Sequence, residues 1–212
     1  MNLGGKFLKN IESNRVLFYF KEISKIPRCS RNEKEVSDYL RDFAKANNLE
    51  VIQDEKLNII IKKNGTKGYE NSPTVVLQGH MDMVCEKSSD SNHDFSKDPI
   101  ELTIEDGFLK ANNTTLGADN GIAIAMALAI LESDTISHPP LEVLITVTEE
   151  TDMSGAKNLS EDVLDGELFI NLDSEGEGVL TAGSAGGVTI YATYPIEEIE
   201  LDGTGYLIKF DG

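Results

Sequence analysis

The sequence predicts an α/β sandwich, and three observations point to it. Near-continuous apolar runs at 74–79, 141–148 and 167–172 read as strands buried on both faces. Between the first two, the segment Ile122 to Leu131 is apolar all round and rich in alanine, the pattern of a helix lying against the middle of a sheet. Ahead of them, Arg15 to Ile26 and Asn32 to Ala46 carry apolar residues at helical spacing, so each has one face to bury.

Taken in order, the first helix should stop at Pro27, and the second should turn Val36, Tyr39, Leu40 and Phe43 to one side. Leu49–Ile52 and Leu57–Ile61 read as a hairpin around the polar 53–56 stretch. The polar run 64–68 then turns the chain into strand 74–79. A second hairpin is expected from Ile100–Ile104 and Phe108–Lys110 around Glu105-Asp106-Gly107. The character of the chain changes after Asp173. Glycine-rich stretches at 174–178 and 183–187 precede a strand-like alternation at 188–194 and a further expected strand at 206–210. The expected division is therefore residues 1–184 as one domain and 185–212 as the opening of a second.

Composition narrows the function classes. Thirty-seven acidic against 19 basic residues give a formal charge of -18, which repels nucleic acid and anionic membrane surfaces. No stretch is apolar enough to span a bilayer, and the N-terminus lacks the apolar core of a signal peptide. Cys29 and Cys85 are too few and too far apart for a disulfide framework or a thiolate zinc site. They are expected to be reduced thiols of a cytoplasmic protein.

Chemistry concentrates where the predicted strands and the central helix begin or end. His80 and Asp82 close the first apolar run, Asp119 sits between Gly117 and Gly121 before the buried helix, Glu149 and Glu150 follow strand 141–148, and Asp173 follows strand 167–172. Each has a plain reading alone. Asp119 suits a helix N-cap, Asp173 a turn, and a lone histidine is more often structural than a ligand. Together they place one imidazole and five carboxylates at one edge of one sheet, and so many acids held together repel unless cations neutralise them. In extended backbone His80 and Asp82 point the same way, so the carboxylate can orient the imidazole while the ring binds metal.

The motifs Gln78-Gly79-His80-Met81-Asp82-Met83-Val84, Thr115-Leu116-Gly117-Ala118-Asp119-Asn120-Gly121, Thr146-Val147-Thr148-Glu149-Glu150 and Asn171-Leu172-Asp173-Ser174-Glu175, in that order, closely resemble the aminoacyl-histidine dipeptidases, also called peptidase D. His93-Asp94-Phe95 and Lys97-Asp98-Pro99-Ile100 add to the resemblance. It implies a three-layer α/β/α sandwich of the zinc-peptidase type with a mixed sheet, followed by the start of a lid-like α+β domain. It also implies two zinc ions, with manganese or cobalt suited to the same donors. By resemblance, His80 and Asp173 would bind one ion, Glu150 the other, and Asp119 would bridge them. Asp82 would support His80, Glu149 would be the general base, and the Asp119–Asn120 bond would be cis. The implied activity is hydrolysis of Xaa-His dipeptides, with a homodimer in the longer protein. A related aminoacylase or tripeptidase, or a noncatalytic fragment retaining the fold, stands as the alternative. The family's remaining histidine ligand and its oxyanion-stabilising groups match no position here. The chain is thus expected to be the N-terminal part of a dipeptidase, with little or no activity by itself.

Overall fold

The computed structural model describes residues 14–174 continuously, and beyond them 176, 178–183, 186, 190–197, 200, 203–206 and 208. The chain packs as two units, Met1–Glu177 and Gly178–Gly212. The first holds every helix and strand of the described residues.

Helix α1 (Arg15–Ile23) starts where the Asn14 side chain accepts the N–H groups of Val16 and Leu17, and it ends at Ser24, three residues ahead of Pro27. Helix α2 (Lys34–Ala46) buries Val36, Leu40 and Ala44. The predicted first hairpin is β1 (Glu50–Gln53) with β2 (Ile59–Lys63), antiparallel in register Val51 to Ile61. Strand β3 (Val75–His80) ends on the histidine itself. Strands β4 (Leu102–Glu105) and β5 (Phe108–Ala111) form a separate two-stranded ribbon. Helix α3 (Ala118–Glu132), strand β6 (Leu141–Thr146), the one-turn helix α4 (Ser154–Lys157) and strand β7 (Leu168–Asn171) complete the unit.

The main sheet runs β1-β2-β6-β3-β7, with β1, β2 and β6 antiparallel in sequence and β6, β3 and β7 parallel, so it is mixed. Alternation splits its side chains between two faces. Ile59, Ile61, Val143 and Ile145 join Phe20, Ile23, Leu40, Ile124 and Leu128 in the larger core, which places α1, α2 and α3 on one face. On the other, Ile60, Val76 and Leu144 pack against Leu159, Val163 and Leu164. Strand β6 is buried along its whole length, as its apolar run predicts.

Strand β7 corrects the expectation of burial on both faces. Leu168, Phe169 and Ile170 are exposed, because β7 is the sheet's edge, paired to β3 alone. The cysteines correct a second expectation: Cys29 and Cys85 are joined in a disulfide, with Cα atoms 5.7 Å apart across a sequence separation of 56. Folding closes that distance, since Cys29 bridges Met83 in parallel and the Met83 N–H donates to the Arg28 carbonyl. No described helix is long and apolar enough to cross a membrane.

In the second unit, residues 190–194 belong to no strand, and Ile190, Tyr191 and Tyr194 are exposed. Residues 188 and 189 of that expected strand, and 207, 209 and 210 of the next, lie outside the described residues.

Candidate metal centre

Parallel strands deliver their C-terminal ends to one side of a sheet, and a crevice at those ends is the usual place for a ligand in an open α/β sheet. Here β3 ends at His80, β7 leads through Leu172 to Asp173, and β6 leads through Val147 and Thr148 to Glu149 and Glu150. The start of α3 supplies Asp119. All six residues expected at the site converge there.

His80 is the centre of the arrangement and is almost fully buried. Its Nδ1 lies 3.2 Å from Asp82 Oδ1 and 3.0 Å from the Asp82 carbonyl oxygen, so the Nδ1–H tautomer is the one the surroundings favour. That leaves Nε2 facing three carboxylates: Asp119 Oδ1 at 3.1 Å, Asp173 Oδ1 at 3.5 Å and Glu149 Oε2 at 3.8 Å. Donor atoms of His80, Glu149 and Asp173 lie within 4.8 Å of one another, and so do those of His80, Asp119 and Glu150. An imidazole with carboxylates on either side, its second nitrogen tied to Asp82, fits a divalent cation of the zinc, manganese or cobalt kind.

Asp82 is wholly buried and fully used. Its Oδ1 accepts the Glu149 N–H at 3.0 Å, and its Oδ2 accepts the Glu150 N–H at 3.1 Å and the Ser30 hydroxyl at 2.8 Å. One carboxylate therefore sets both the imidazole and the backbone of the paired glutamates. The turn that presents them has Thr148 at φ 56, a conformation a β-branched residue adopts only under constraint. The constraint is visible: Glu33 accepts the Thr148 N–H at 3.0 Å, and the Thr148 hydroxyl shares a 2.7 Å hydrogen bond with Ser154.

The electrostatics follow from crowding. Burial disfavours the His80 imidazolium, but the hydrogen bond and charge of Asp82, with Asp173 and Asp119, more than offset this and raise its pKa to about 9. Burial pushes the Asp82 carboxyl up, and the donors from His80, Ser30 and Glu149 bring it below its ordinary value. Glu150 is raised, first by burial and then by the charge of Asp119. Asp173 is raised by burial, with Asp119 and Glu149 adding to it against the pull of His80.

Asp119 does not serve as an N-cap: the backbone is non-helical at Asp119 and Asn120, and the Asp119 carboxylate accepts from no helix N–H among the described hydrogen bonds but lies largely exposed beside His80. The Asp119–Asn120 bond is cis, as the resemblance implies. Asn120 ties the strand ends together: its Oδ1 accepts the His80 N–H at 3.2 Å and its Nδ2 donates to Leu172 O at 3.0 Å. Among the described residues, neither His93 nor His138 joins the donor groups. His138 is buried in its loop, its Nδ1 bonded to Pro139 O at 2.7 Å. Sequence reasoning missed Ser30, Glu33 and Asn120. Only Asn120 carried a signal, by standing inside a motif.

Two hollows flank the carboxylates. One, of about 240 Å³, is walled by Leu144, Val147, Met153, Leu159 and Phe169 and reaches Glu149 and Asp173. The other, of about 300 Å³, lies between Val84, Leu116, Asp119 and Glu150.

The chain is 47% identical over 169 residues to the cytosol non-specific dipeptidase of Escherichia coli, covering 80% of this chain and 35% of that protein. Its fold matches the crystal structure of aminoacylhistidine dipeptidase from Vibrio alginolyticus with a TM-score of 0.76 at 43% identity, over 77% of this chain and 34% of that one. It matches a tripeptidase from Staphylococcus aureus with a TM-score of 0.64 at 26% identity, over 76% and 43% of the two chains. The chain thus spans about a third of the length of the first two. Residues 76–207, which carry His80, Asp119, Glu149, Glu150 and Asp173, match the family model described as peptidase family M20/M25/M40, and to that family the chain belongs.

Proposed function

We propose that the protein is a metal-dependent dipeptidase that uses two divalent ions, zinc foremost, and takes dipeptides of the Xaa-His type. The observation that carries this reading is the convergence of two pairs of carboxylates, Glu149 with Asp173 and Asp119 with Glu150, on one oriented imidazole, that of His80. In the proposed assignment His80 and Asp173 would hold one ion, Glu150 would hold the other, and Asp119 would serve both. The names of the first two proteins compared above support a dipeptide substrate.

Ions so held supply Lewis acidity, polarising the scissile carbonyl and lowering the pKa of water. The chain's own residues do the rest. Asp82 holds the proton on His80 Nδ1, which keeps the Nε2 lone pair aimed at the carboxylates. The Glu149 carboxylate accepts a proton from the attacking water and returns it to the leaving amine nitrogen, as a general base and then a general acid. Its partial exposure leaves it open to water and substrate at the rim of the site. We further propose that 185–212 open a second domain, through which the longer protein pairs with a second copy.

The test is hydrolysis, by the purified longer protein that carries this chain, with zinc or manganese, of a Xaa-His dipeptide, a tripeptide and an N-acyl amino acid. Preference for the dipeptide is expected. Turnover of the tripeptide or the acyl amino acid alone would favour a different member of the family, and metal-independent turnover would contradict the site.

A further inference from the structure

The geometry points to Arg28 as a positioning residue of the metal centre, whose guanidinium locks the segment bearing His80 and Asp82 to the turn bearing Asp119. This rests on the reading of the site as a divalent-cation centre.

Arg28 stands in the connection between α1 and α2, yet its side chain is among the largest that are fully buried. Its Nη1 donates to Met81 O at 3.0 Å and to Asp82 O at 3.3 Å, and its Nη2 donates to Gly117 O. Met81 lies between His80 and Asp82, and Gly117 is two residues before Asp119. One planar fork therefore spans the two backbone segments whose spacing decides how far His80 Nε2 stands from the Asp119 carboxylate. The Arg28 backbone takes part too, its carbonyl accepting the Met83 N–H at 3.1 Å.

The surroundings are shaped to the guanidinium. A Cβ at Gly117 would collide with Nη2, and one at Gly121 would come within 2.7 Å of it, so both glycines of the Asp119 motif leave room for this group. Its described hydrogen bonds go to carbonyls and Nε has no partner among the described residues, an arrangement that bends to the needs of those carbonyls. A cation buried without a bonded carboxylate is a costly way to hold a loop. The cost is partly offset by the charges of Asp82 and Asp119 nearby. Lysine carries the same charge on a single nitrogen and lacks the planar fork.

The test compares wild type, Arg28→Lys and Arg28→Met. Manganese or zinc is titrated calorimetrically into chelator-stripped protein, the visible absorption bands of the cobalt-loaded proteins are recorded, and the melting of each stripped protein is followed separately. Loss of a group that orients metal ligands is expected to weaken metal affinity about 10- to 100-fold. Both variants should bind more weakly and show shifted cobalt bands, with Arg28→Lys nearer to wild type. If Arg28→Met does not fold, Arg28→Lys decides the matter by the same two readings. Wild-type affinity and wild-type cobalt bands in a folded variant would overturn the proposal, even if that variant melted earlier, because Arg28 would then be only structural. A wild-type protein that bound no divalent cation would overturn the metal-centre reading, and this one with it.

Discussion

Asp82 Oδ1 and His80 Nδ1 lie 3.2 Å apart with both side chains shut away from solvent, and the same carboxylate accepts the backbone N–H groups of Glu149 and Glu150. Removing it should therefore disturb both halves of the centre at once. Asp82→Ala is expected to lower metal affinity or turnover about 10- to 100-fold, the usual effect of losing a carboxylate behind a ligating histidine. Calorimetric titration of metal into the stripped variant checks this, and unchanged affinity with unchanged turnover would show that the contact is incidental.

Base and ligand should separate by mutation. In the longer protein, Glu149→Gln keeps the shape of the side chain but cannot accept a proton, so turnover should fall by about 10²- to 10⁴-fold with metal content near that of wild type. Asp119→Asn should lose metal and activity together. Metal analysis beside rate measurement distinguishes them, and an active Glu149→Gln would remove it from the proposed role.

The chelated protein should carry a pH signature. The folded pKa of His80 is raised to about 9, so its interaction with Asp82 adds stability in full below the unfolded value of 6.5, and that stability is lost as pH climbs through about 9. Asp82 is lowered, so its share is present above the unfolded value of 3.8 and lost as pH falls through its folded pKa. The melting temperature of stripped wild type should thus drop between pH 6.5 and 9 more than that of His80→Gln. Parallel curves for the two proteins would refute the coupling.

The disulfide makes a prediction of its own. Denatured without reductant, the protein should show no reactive thiol, and after reduction it should show both Cys29 and Cys85. Closing a loop with a separation of 56 residues limits the unfolded chain by about 4 kcal/mol on an entropic estimate. Reductant should accordingly lower the melting temperature of wild type and leave Cys29→Ser/Cys85→Ser unmoved. Two titratable thiols in the untreated protein would contradict the bond.

What could be read in the sequence, and what could not, divides along physical lines. Strand β6 was legible because burial on both faces leaves an unbroken apolar run, and helix α3 by its long apolar run, although Ile122 and Met126 leave one of its faces exposed against the expectation of a helix buried all round. The same cue misled at β7, where Leu168, Phe169 and Ile170 look like a buried strand but lie at an open edge. Composition does not reveal a strand's neighbours. The carboxylates of the site were legible because they end elements, and their motifs resemble a known family. Arg28, Ser30 and Glu33 were not, since each sits in an irregular connection without periodicity, and only the fold brings them to Asp82 and Thr148. Cys29 and Cys85 were hidden for the same reason.

The most direct test of the central claim is anomalous X-ray scattering from crystals of the protein grown with zinc. The account predicts two peaks about 3.5–4 Å apart, one beside His80 and Asp173, the other beside Glu150, with Asp119 between them. Zinc found only on other surface carboxylates, with none within bonding distance of His80 Nε2, would contradict it.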